Sequence, residues 1–84
     1  MINRVYTFEN GTKVDLARIN SIAPIDKDLS GNIFIPVYYE KSTKPVKYQV
    51  GFSIGEASEV IKNKCHREWI LLTGIWETYK NKKE

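Results

Sequence analysis

The chain has 84 residues, 42% of them hydrophobic and 27% charged, with one cysteine and a formal net charge of +3. Area scaling gives roughly 5,100 Å² of folded surface against about 14,000 Å² unfolded, which allows one thin core in a single domain, 1–84, and leaves little room for a deep cleft. The apolar fraction excludes a disordered chain, no window approaches a membrane span, and a lone cysteine excludes an internal disulfide.

The N-terminal run from Met1 to Tyr6 alternates like a strand and lacks the apolar stretch of a signal peptide. With Cys65 unpaired, a reducing cytoplasm is the expected location. Residues 4–9 and 12–16 flank Asn10-Gly11, the signal of a hairpin with a type I′ turn, so Asn10-Gly11-Thr12 reads as a turn rather than a glycan site. Leu16, Ile19 and Ile22 recur at spacing three, which predicts a turn entering a short strand near 20–25 that Pro24 confines to an edge or bulge. The 26–32 segment carries D-x-D-x-S-x-N and Gly31, a superficial calcium-loop pattern. Val37 stands where the twelfth-position Glu belongs and a strand follows, so a polar hairpin loop is the better account.

Two period-2 runs come next. In 32–40, Ile33, Ile35, Val37 and Tyr39 share one face, with Phe34, Pro36, Tyr38 and Glu40 on the other. In 45–52, Val46, Tyr48, Val50 and Phe52 oppose Lys47, Gln49 and Gly51, and Lys41 to Pro45 links the two runs. Pro36 places its strand at an edge or bulge. Residues 53–80 are helical: Ser53 and Glu56 read as a capping box with Phe52 as a staple. Ile54, Ala57, Ile61, Cys65, Leu72, Ile75, Trp76 and Tyr79 form the apolar stripe, with Glu68 in its middle and Ile70 almost opposite. An unbroken helix over 54–80 would run about 40 Å, beyond the roughly 30 Å diameter of such a domain, so a break near 63–66 is predicted. The fold class is α+β: an antiparallel β-meander of four to five strands (4–52) packed against C-terminal helix, one kinked or two short, with a basic tail at 81–84.

The charge divides unevenly. Residues 1–40 carry four basic and five acidic residues, and residues 41–84 carry nine and five. The basic half favours anionic partners only mildly. Cys65 and His66 are adjacent, and neighbours on a helix point about 100° apart, so they make neither a nucleophile pair nor a metal site. No catalytic residue, metal or cofactor is predicted. Gly51 and Gly55 straddle a junction without a P-loop Lys-Ser/Thr.

The candidate contact residues are Phe34, Tyr38, Lys47 and Gln49 on the sheet's outer face, and Arg67, Trp69 and Ile70 on the helix. Aromatics there supply area, and Lys47 and Arg67 orient an anionic group. The run NGTKVDLARINSI, followed by alternating strands and VGFSIGEASEVI, resembles the small flagellar proteins of the FlbD/SwrD type over residues 8–62. The resemblance implies a hairpin, a strand pair and a helix, and supplies no catalytic residues. In length and basicity the chain also looks like short proteins carried by phages and mobile elements. The expectation is therefore a non-enzymatic interaction protein, such as a phage- or mobile-element-encoded inhibitor that sequesters a host factor, with self-association through the C-terminal helix and no membrane contact. The alternative is a nucleic-acid or nucleotide-binding module using the same sheet face. A third reading, a hydrolase centred on Cys65, needs a reactive thiol.

Overall fold

The computed structural model describes residues 4–50 and 55–82. The elements are β1 (Val5–Thr7), β2 (Lys13–Asp15), a 3-10 turn (Leu16–Arg18), β3 (Ile19–Ile22), β4 (Asp26–Lys27), β5 (Ile33–Tyr39), β6 (Val46–Tyr48) and α1 (Ser58–Lys82). This is the expected α+β architecture: short antiparallel strands in two sheets, packed against one C-terminal helix.

The β1–β2 hairpin forms at Asn10-Gly11, but with a different turn. The Gly11 N–H donates to the Phe8 carbonyl and the Phe8 N–H to the Thr12 carbonyl. Only Gly11 is left-handed there (φ 91°), which makes a three-residue loop with a glycine bulge instead of type I′. The 28–32 loop repeats the pattern: the Gly31 N–H donates to the Asp28 carbonyl, the Asp28 N–H to the Asn32 carbonyl, and Gly31 has φ 91°. The Asp28 carboxylate accepts from the Ser30 and Asn32 N–H groups at 2.9 Å. Its oxygens therefore organise a turn, and no cluster of metal-ligating side chains exists among the described residues.

Strand β5 is central, so of the edge or bulge expected from Pro36 the edge is not found, while the register against β5 shifts by one residue opposite Pro36, between Ile22↔Val37 and Asp26↔Phe34. It pairs with β3 (Ile22↔Val37), β4 (Asp26↔Phe34) and β6 (Pro36↔Lys47). Strands β3 and β4 read along β5 as one strand interrupted at Pro24, as a proline demands, and β3 itself carries a register shift between Ile19 and Ser21. The proline within β5 is accommodated by a substitution of donors. The Ala23 N–H donates to the Pro36 carbonyl at 3.0 Å, and the reciprocal bond is impossible because proline has no N–H. The Ala23 carbonyl accepts instead from the Trp69 indole N–H at 2.8 Å.

The helix corrects three expectations. It begins at Ser58, because Gly55 is left-handed (φ 87°), and the Ala57 carbonyl accepts the first helical N–H groups, from Val60 and Ile61. Glu56 thus lies before the helix, where its carboxylate pairs with Lys64 Nζ at 2.6 Å. Ser53 of the expected capping box and Phe52 lie outside the described residues. The break predicted near 63–66 is absent: α1 runs 25 residues, about 37 Å, within a molecule of 44 × 28 × 18 Å. Continuity also carries α1 into the segment read as a basic tail, as far as Lys82.

The core joins both sheets to the helix. Phe8, Val14 and Leu16 of the first hairpin meet Ile35, Val37, Val50, Cys65 and Leu72, all at most 2% exposed. Glu68 is the buried charge (6% exposed): its Oε1 accepts from the Tyr6 hydroxyl and its Oε2 from the Glu9 N–H, both at 2.8 Å. Among the described residues, no helix is long and apolar enough to cross a membrane.

Candidate functional site

The outer face of β5 and β6 forms the floor of an open groove of about 710 Å³, lined by Pro24, Phe34, Pro36, Tyr38, Pro45 and Lys47. Three of the predicted contact residues, Phe34, Tyr38 and Lys47, therefore meet at one surface. Alternation along β5 puts Phe34, Pro36 and Tyr38 on the side away from Ile35 and Val37. The Pro36↔Lys47 register sets the lysine beside them. Phe34 is not the free aromatic platform the alternation suggested. It is 5% exposed, and Lys47 Nζ lies over its ring at 5.1 Å from the centroid. Tyr38 is half-buried and Lys47 exposed.

The rim of this groove carries both signs of charge. Asp26 and Asp28 stand on the β4 side with Lys27 between them, and Lys47 lies on the β6 side. The Asp28 carboxyl is held below its ordinary value, first by the Asn32 N–H and then by the other donors of its loop. Leu29 sits at the tip of the same loop and is wholly exposed. Sequence reasoning missed it, along with Pro24 and Pro45. The available signal was positional: a large aliphatic residue between Asp28 and Ser30, where the hairpin needs only polar residues.

The other predicted residues are scattered. Gln49 is exposed, lies beside Ile33 and Ile61 in a separate small cleft, and its carbonyl accepts weakly from the Asn10 amide at 3.4 Å. Trp69 is half-buried, and its N–H is committed to Ala23. Arg67 lines a second cleft, of about 350 Å³, between α1 and the first hairpin, beside Tyr6, Glu9 and Leu71. Ile70 is 54% exposed on the far side of the helix, as its place off the stripe required. Leu71 (50%) and Ile75 (39%) are exposed too, although the apolar stripe placed Ile75 toward the core.

Cys65 is fully buried, and its thiol is pushed up to about 11, first by burial and then by the Glu68 charge. A thiol in that state stays protonated at neutral pH and is a poor nucleophile. The His66 ring is turned toward Trp69, with the ring centroids 6.0 Å apart. No family model, curated protein or solved structure matches the chain. The functional reading rests on this geometry.

Proposed function

We propose that the chain is a non-enzymatic interaction module that docks a protein partner in the groove over Phe34, Pro36 and Tyr38. The observation carrying this reading is the combination of an apolar, proline- and aromatic-lined floor with a rim of mixed charge. Aromatic and aliphatic surface supplies the buried area of a protein interface, and scattered charges of both signs set its register. Leu29 and Tyr38 are the anchors, and Lys47 orients a carboxylate of the partner. In that role a small chain acts by occlusion, as an inhibitor or sequestering protein covers part of a host factor. Self-association through α1 belongs to the same proposal.

The nucleic-acid reading has less support at this surface. Phosphate docking favours cations without neighbouring carboxylates, whereas Asp26 and Asp28 share the rim with Lys27 and Lys47. Base stacking needs open aromatic faces, and Phe34 is covered.

Two measurements separate the readings. Immobilised protein should enrich a discrete protein from extracts of the cells that make it. Tyr38→Ala and Lys47→Glu should each lose that protein, and Ile70→Glu should retain it. Anisotropy with labelled single-stranded DNA and RNA at about 50 mM salt, where phosphate contacts are strongest, should show no binding. Enrichment indifferent to Tyr38 and Lys47, or tight salt-sensitive nucleic-acid binding, overturns the proposal.

A further inference from the structure

The tip of the first hairpin holds a chemically labile pair that neither the core nor the groove uses. Of the six asparagines in the chain, only Asn10 is followed by glycine. Asn10, Gly11 and Thr12 are all exposed, so solvent reaches the loop freely. The Thr12 N–H donates to Asn10 Oδ1 at 2.9 Å, which polarises the side-chain carbonyl and folds it back across the Gly11 peptide. Gly11 has no Cβ to shield its nitrogen, and apart from its chain neighbours no atom lies within 4 Å of where one would stand. Few bonds hold the pair. The Asn10 amide reaches the Gln49 carbonyl only at 3.4 Å, and the Gly11 N–H is tied to the Phe8 carbonyl at 2.9 Å, at a hairpin end that opens with little else.

From these features we infer that Asn10 is a site of spontaneous covalent modification, losing its side-chain amide through a cyclic imide formed with the Gly11 nitrogen. In the first step the Gly11 N–H gives its proton to solvent base, and the nitrogen attacks Asn10 Cγ. The new C–N bond closes the imide ring, the Cγ–Nδ2 bond breaks, and Nδ2 takes a proton from solvent and leaves as ammonia. In the second step a water molecule adds to one imide carbonyl, the ring C–N bond at that carbon breaks, and the nitrogen takes a proton from the water. Addition at Cγ gives aspartate. Addition at the main-chain carbonyl carbon gives isoaspartate, whose backbone runs through Cγ. Either product exchanges an amide for a carboxylate, so the formal net charge of +3 drops by one unit.

The two products differ in their effect on the fold. Aspartate keeps an acceptor for the Thr12 N–H and gives up only the long bond to Gln49. Isoaspartate lengthens the main chain by one carbon inside the loop that the Phe8 N–H closes on the Thr12 carbonyl, next to the buried Phe8 ring. That change loosens the hairpin carrying Tyr6 and Glu9 to Glu68. It is independent of the groove, which this loop does not line.

Peptide mapping of the folded protein, held for days at neutral pH and physiological temperature in heavy-oxygen water, tests the inference. Amide loss should occur at Asn10 ahead of the other five asparagines, with both aspartate and isoaspartate formed and isoaspartate marked by isoaspartyl methyltransferase. Direct hydrolysis of the amide would give aspartate alone. The rate should lie within about tenfold of that in the urea-unfolded chain, because a hairpin tip opens at little free-energy cost. Asn10→Gln should stop the loss while helicity by circular dichroism is kept. The separated isoaspartyl form should melt about 4–8 °C below the parent, the shift that loss of one loop hydrogen bond gives in a domain of this size, and Asn10→Asp close to it. Aspartate as the sole product, a native rate more than about tenfold below the unfolded one, no preference for Asn10, or an isoaspartyl form as stable as the parent overturns the inference.

Discussion

Glu68 brings a formal charge into the core stripe of α1, and its two oxygens are divided between the Tyr6 hydroxyl and the Glu9 N–H. A buried carboxylate with both oxygens satisfied can be stable, but it becomes costly once a partner is lost. Here the partners come from the first hairpin, so one side chain ties β1 and its turn to the helix. The Tyr6 hydroxyl is held well above its ordinary value, chiefly by burial and then by its bond to Glu68, so it remains a donor across the working pH range. Glu68→Ala should destabilise the fold by about 2–4 kcal/mol and Glu68→Gln by about 1–2, since the amide keeps one acceptor. Urea unfolding measures both, and a Glu68→Ala variant within about 0.5 kcal/mol of the parent would remove the anchor from the account. The position of Glu68 in the stripe was legible in the sequence. Its role was not, because the donors lie about sixty residues away in the chain.

At the scale of elements, the structure turns on how proline and helix complement each other. Pro36 removes one rung of the β3–β5 ladder, and Trp69 supplies the missing donor from α1. A double-mutant cycle exposes this coupling. Trp69→Phe leaves the Ala23 carbonyl unpaired, whereas Pro36→Ala restores a backbone N–H that can fill it. The cost of Trp69→Phe should therefore be smaller by about 1 kcal/mol in the Pro36→Ala background; strictly additive costs would contradict the exchange. The 28–32 hairpin loop carries a pH dependence at the same scale. The Asp28 carboxyl is depressed by the N–H groups of its loop, so its stabilising effect is complete above the unfolded value of about 4 and is lost as pH falls through the folded one. Asp28→Asn keeps an acceptor but does not titrate, so melting temperatures of the variant should fall less between about pH 4 and pH 2. Parallel acid limbs would contradict it. Both hairpins and the run of β5 were legible from Asn-Gly, from the polar loop and from alternation. The central place of β5 was hidden, because a local proline rule does not see a donor arriving from a distant helix. The continuity of α1 was hidden likewise: length alone argued for a break, while Glu68 and Trp69 pin the middle of the helix to both β units.

For the whole molecule, α1 is a spine that spans the long dimension and separates two surfaces. One side of it closes the core, and the groove lies beyond, on the outer face of β5 and β6. The opposite side of the helix carries the exposed Ile70. An accessible area of 6027 Å² exceeds the roughly 5,100 Å² expected of a rounder chain of this mass, as an elongated shape with exposed apolar residues requires. The sheet half of the candidate site was legible as a face, since Phe34, Tyr38 and Lys47 do converge. The helix half was not one surface, because Arg67, Trp69 and Ile70 point to different surroundings around a continuous helix. On our proposal the groove docks a protein, with Leu29 at its rim. A photo-crosslinking amino acid in place of Leu29, activated in the cells that make the protein, measures that most directly. One discrete adduct to another protein is expected, abolished by Lys47→Glu and unchanged by Ile70→Glu. No adduct at Leu29, or an adduct indifferent to Lys47→Glu, would contradict it.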